Sequence, residues 1–218
     1  MQGNVSHVCT VKASLDGTIH WLFLDIIEPN QKTALELGEL LKRKRVSEYE
    51  KMAMGMIAAL DIDAPVTFRK VTMDQHLKWL CDVISQSSYR LPLLGHSLDR
   101  DIDFMFASSD KFFKGHPLKC PGDQRASWQR IIKVCTQRLL TNCHLTFRKA
   151  NPDAKWGSAT METLTMSLLG REQKHNAVSD VLDLLEILKI AKALDHFKLP
   201  KENFLIIKPC NQVETSAA

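Results

Sequence analysis

Hydrophobic and polar positions fall along this chain in blocks whose periods predict its elements. The segment "TIHWLFLDII" (18–27) is rich in β-branched and aromatic residues and reads as a strand buried on both faces. "VSHVCTVKAS" (5–14) is placed to pair with it across an "LDGT" turn. "TALELGELLKRKRVSEYEKMAMGMIAAL" (33–60) has helical composition, although its start also fits a strand. "PVTFRKV" (65–71) predicts a strand. "TMDQHLKWLCDVISQS" (72–87) predicts a helix, with Leu77, Leu80, Cys81 and Ile84 on one face and Asp74 near its start.

A short apolar strand "YRLPLLGHS" (89–97) and a helix "LDRDIDFMFAS" (98–108) come next. Residues 109–127, rich in Lys, Gly and Pro, read as an exposed loop. "WQRIIKVCTQRLL" (128–140) holds a strand or a helix start, and "ATMETLTMSLLG" (159–170) a helix ending at Gly170. From about Val178 the positions Leu184, Leu185, Leu188, Ala191 and Leu194 make the stripe of a long helix facing a core. "KENFLIIKPC" (201–210) adds an edge strand, and 211–218 reads as a disordered polar tail. There is no repeat and no linker, so residues 1–210 form one α/β domain.

Composition changes this picture little. Hydrophobic residues make up 44% of the 218 and charged residues 25%, as in ordinary globular chains. No apolar run is long enough to span a bilayer, and the N-terminus lacks the basic-then-apolar pattern of a signal peptide. An intracellular protein with reduced thiols and no membrane partner is expected, the six cysteines being scattered without a framework. The His and Cys residues between 116 and 144 include no C-x-x-C pair, which argues against zinc. The net charge of +4 is compatible with a polyanionic partner, and two basic runs, "LKRKR" (41–45) and "KFFKGHPLK" (111–119), sharpen that.

Candidate chemistry comes from three acidic positions at strand ends or helix starts. Asp25 interrupts an apolar strand, Asp101 lies in the first turn of a helix after "LPLLG", and Asp180 opens the last long helix with His175 before it. A buried Asp needs a partner, and carboxylates from separate elements can hold two Mg²⁺ ions that orient a water for phosphodiester hydrolysis. A neighbouring His can take the proton of that water.

In this order the residues resemble the DEDDh 3′–5′ exonucleases of the ribonuclease H-like fold. "GHSLDRDIDFM" (95–105) is similar to the family's second motif, and "HNAVSD" (175–180) to its third, H-x-A-x-x-D. "VCTQRLL" (134–140) resembles a segment between those motifs, with Cys135 in place of an Asp, and "ALELGEL" (34–40) resembles the strand after the first motif. The resemblance implies an α/β fold with a mixed central sheet flanked by helices. It also implies two Mg²⁺ or Mn²⁺ ions on Asp25, Glu28, Asp101 and Asp180, His175 as general base, and nucleoside 5′-monophosphates as products. The partner implied is a single strand or a 3′ end of DNA or RNA. Contacts to it are expected from His96, from Lys42, Arg43, Lys44 and Arg45, and from Lys111, Phe112 and Lys114, whose cations follow the backbone while the ring stacks on bases.

The first motif departs from the family's Asp-x-Glu, reading "FLDIIEPN". On a strand, positions i and i+2 share a face and i+3 points away. Either a β-bulge returns Glu28 to the face of Asp25, or the centre has lost its Glu. The second outcome predicts a pseudo-exonuclease that binds nucleic acid or a protein partner.

Overall fold

In the computed structural model the described residues are 5–86, 91–109, 131–141, 145, 149, 160–193 and 203–211. β1 (Val5–Ser14) and β2 (Ile19–Glu28) form the expected antiparallel pair. Their turn is set locally: the Asp16 carboxylate accepts the Thr18 N–H at 2.8 Å, and Gly17 takes φ +94°, a conformation that costs a residue without Cβ nothing. Of the two readings of the following segment, the helix is found. It is α1 (Gln31–Ala58), broken at Gly38 (φ 68°) and anchored by the buried Tyr49 and Ala53.

β3 (Val66–Thr72) runs parallel to β2 and leads straight into α2 (Met73–Gln86). Thr72 and Gln75 cap that helix reciprocally, each accepting the other's backbone N–H. β4 (Leu93–Gly95) and α3 (Leu98–Ala107) come next, then β5 (Lys133–Cys135) and the short α4 (Thr136–Leu139). α5 (Met161–Leu164) continues as a π-helical turn to Leu169, and Gly170 ends it at φ 67°. The last elements are α6 (Ala177–Ala193) and β6 (Asn203–Asn211). The fold is thus α/β, and the six described strands form one mixed sheet ordered β3-β2-β1-β6-β4-β5, compatible with a ribonuclease H-like arrangement.

One placement differs from expectation. β6 is not an edge strand: it lies between β1 and β4, antiparallel to the first and parallel to the second. This interior strand contains Pro209, although proline donates no ladder hydrogen bond and is ordinarily confined to edges. Here it falls near the end of the strand, opposite Val8. The strand also includes Asn211, the first residue of the expected tail.

Each face of the sheet buries its own core. On one, Leu22, Leu24, Ile26 and Ile206 pack against α1 and α6 through residues such as Tyr49, Val181 and Leu188. On the other, Val8, Ile27, Leu93 and Ile207 pack against α2 and α3 through Leu77, Leu80, Ile102 and Met105. Since side chains alternate along a strand, Lys208 emerges on the α6 face with Ile206, and Asp25 on the α2 face with Ile27. No described helix is long and apolar enough to cross a membrane.

Candidate functional site

β4, β5 and β6 are parallel, and in open α/β sheets ligands bind beyond the carboxyl ends of such strands. A cavity of about 470 Å³ opens there. His96 and Ser97 enter it just after β4, Gln137 just after β5, and Lys208 and Cys210 from the end of β6. The first turns of α3 and α6 contribute Asp101 and Asp180.

Local bonding fixes these groups. Ser97 donates to Gln137 Oε1 at 2.9 Å, and His96 Nδ1 lies 3.3 Å from Thr136 Oγ1, so the ends of β4 and β5 are tied together. Asn176 caps α6 by accepting the Ser179 N–H at 2.9 Å. Asp180 is thereby free to face the cavity from the first turn. Arg171 clamps the preceding loop onto α6, with Nη2 at 2.6 Å from Asp183 and 2.7 Å from Glu186. Among the described residues, Ser97 (φ 61°) and His175 (φ 53°) are the two non-glycines in the left-handed region, and both line the cavity. Strain of this kind, of order 1–3 kcal/mol per residue, persists where surrounding structure over-determines it.

The charges are unusual. Lys208 Nζ donates to Asp101 Oδ1 at 3.2 Å and lies 3.4 Å from Oδ2. Burial pushes the Asp101 carboxyl up to about 6 although the Lys208 ammonium pulls the other way, and the negative charge of Asp180 adds to the rise. Asp180 is raised too, by burial above all, against a hydrogen bond from Gln173 and the charges of Lys208 and His175. Its Oδ1 is buried and has no hydrogen-bond partner among the described residues. Burial also pushes the Cys210 thiol up, which keeps it uncharged.

Of the expected site residues, Asp101, Asp180, His175 and His96 come together in this cavity, and Asp25 and Glu28 do not line it. β1 separates β2 from β6, so two strand spacings, roughly 10 Å, intervene. Asp25 moreover points to the opposite face of the sheet. There Arg69 binds it bidentately, at 2.7 and 2.6 Å, and His76 Nδ1 lies 2.7 Å from Oδ2. No bulge returns Glu28 to Asp25: the register with β3 runs unbroken from Leu22 to Glu28. Lys42, Arg43, Lys44 and Arg45 lie on α1 and do not line the cavity, Arg43 and Lys44 being exposed. Lys111, Phe112 and Lys114 lie outside the described residues.

Sequence reasoning missed Lys208 and Arg100. The signal for Lys208 was present: a charge ending the apolar run "FLII" is the same oddity that singled out Asp25 in "WLFLDII". The donor set therefore does not fit a pair of divalent ions. Among the described residues it offers two carboxylates, one already engaged by an ammonium, with the His96 and His175 imidazoles, side-chain amides and a neutral thiol, whereas hard dications prefer several charged oxygens. No protein-family model, curated protein or solved structure matches the chain.

Proposed function

We propose that this chain is an exonuclease-like domain that holds the 3′ end of a nucleic acid strand without cutting it by a two-metal mechanism. One observation carries the reading: the Lys208 ammonium is bonded to Asp101 within the cavity that Asp180 and His175 also line. Such an arrangement supplies acceptors for sugar hydroxyls, at Asp101 and at the unpartnered Oδ1 of Asp180. Arg100 and His175 on its walls are donors for a terminal phosphodiester. A volume of about 470 Å³ suits one nucleotide.

The test is fluorescence anisotropy with 5′-labelled DNA and RNA single strands ending in a 3′-hydroxyl or a 3′-phosphate. Each is measured in EDTA and in Mg²⁺, and the strands are then run on a denaturing gel. Expected are binding of the 3′-hydroxyl strand that EDTA leaves unchanged, weakening of at least tenfold in Arg100→Ala, and full-length strands after incubation in Mg²⁺. Absence of binding overturns the proposal. Shortening that requires Mg²⁺ and disappears in Asp180→Asn establishes instead the hydrolytic alternative, a 3′–5′ exonuclease. The convergence of His175, Asp101 and Asp180 favours that alternative.

A further inference from the structure

The strand that delivers Lys208, and the presence of Cys210 two residues beyond it on the same cavity wall, play no part in the binding of a strand end. We infer that Lys208 is a built-in cation that holds the position a divalent ion would take between Asp101 and Asp180, and that residues 208 and 210 decide whether this cavity accepts a metal.

β6 is the strand beside β4, so its end approaches the first turn of α3. Positions 208 and 210 share one face of that strand and both line the cavity. They have the i, i+2 spacing of a metal-binding Asp-x-Glu pair, but the chain reads Lys-Pro-Cys there. β2, which carries Asp25 and Glu28 at i, i+3 spacing, lies two strands away. A carboxylate pair on β6 would face the same cavity as Asp101 and Asp180. The lysine instead brings a positive charge of the opposite consequence.

An ammonium and a hydrated dication compete for the same oxygens. Lys208 reaches both oxygens of Asp101, at 3.2 and 3.4 Å, while its side chain is 25% exposed and its stem is held by the strand. Because it is covalently attached, it does not dilute away, and its effective concentration at the site exceeds that of a free ion. Its single charge leaves the second carboxylate short of a partner. Asp180, 6% exposed, accordingly keeps an Oδ1 that no described group satisfies. Such an oxygen marks the side of the cavity on which an added cation would gain most.

The inference uses the same cavity as the proposed function, but its test contains no nucleic acid, so either can fail alone. Mn²⁺ binding is followed by loss of the free-ion EPR signal in the wild type, Lys208→Met and Lys208→Asp/Cys210→Glu, each checked for folding by circular dichroism. The wild type is expected to leave the Mn²⁺ signal intact, Lys208→Met to bind weakly, and the double variant to bind at least tenfold more tightly than Lys208→Met. Asp180→Asn added to the double variant should remove that binding. Two results overturn the inference: wild-type protein that takes up Mn²⁺ and loses it on Asp101→Asn, or a folded double variant no better than wild type. If the double variant does not fold, Lys208→Met decides, and failure of that folded protein to bind Mn²⁺ overturns the inference.

Discussion

Two buried acidic regions lie on opposite faces of one sheet and have reached opposite electrostatic solutions. Around Asp25 both carboxylate oxygens are paired, although the far nitrogen of His76, Nε2, has no partner among the described residues. Burial pushes that carboxyl up, but hydrogen bonds from His76 and Arg69 outweigh it, and the net shift is downward. Arg69 is itself fixed between the Phe23 and Trp79 rings, 4.6 and 4.1 Å from their centroids. Around Asp101 and Asp180, the Lys208 ammonium, even with Arg100 beside the first and Gln173 and His175 beside the second, does not offset burial, and both stay raised. A carboxylate paired at both oxygens, as Asp25 is, stabilises a fold, whereas Asp180, with one oxygen unpartnered among the described residues, has room for a ligand. Burial alone therefore does not separate structure from function. The partners do.

The largest effect should come from breaking the satisfied side. Asp25→Ala leaves His76 and Arg69 facing an uncompensated gap, and a loss of about 3–5 kcal/mol is expected in urea denaturation. A loss under about 1 kcal/mol would erase the contrast.

On the other face the sign reverses. The folded protein keeps the Asp101 proton up to about pH 6, whereas the unfolded chain releases it near 3.8. The folded state thus binds more protons between those values, and stability falls as pH rises through that window. Asp101→Asn should flatten this slope and gain about 1–2 kcal/mol at pH 7, part of the relief being offset by the loss of its bond to Lys208. Asp25, with its depressed value, stabilises above its unfolded pKa and loses that contribution only as pH drops through its lower folded value. Denaturation curves from pH 4 to 7 for the two single variants compare the faces directly.

The smallest effect concerns backbone strain confined to the open side. His175→Gly should stabilise by about 1 kcal/mol, since glycine takes positive φ freely, while weakening oligonucleotide binding. Destabilisation instead would mean that the ring itself is a structural contact.

Local chemistry was legible along the chain, and long-range pairing was not. The 5–28 hairpin follows from one turn whose Asp and Gly act on neighbours, and α6 from a periodic stripe on the residues themselves. The grouping of Asp101, His175 and Asp180 followed from motif order, because each ends or starts a predicted element. Asp25 was drawn into that group wrongly because its partners are distant, with Arg69 44 and His76 51 residues away. No local pattern announces such a bond. Likewise, the central place of β6 depends on pairing Asn203–Asn211 with Val5–Ser14, at the other end of the chain, and Pro209 pointed the other way. Lys208 was lost with that strand.

The central claim is that Lys208, and not a divalent ion, neutralises the carboxylates of the cavity. A carboxyl-carbon NMR titration of Asp101, run with and without Mg²⁺, tests it most directly. The account predicts a midpoint near the value of about 6 that does not move when Mg²⁺ is added, and a higher one in Lys208→Met. A midpoint in the ordinary carboxylate range, or one that Mg²⁺ drives down in the wild type, would contradict it.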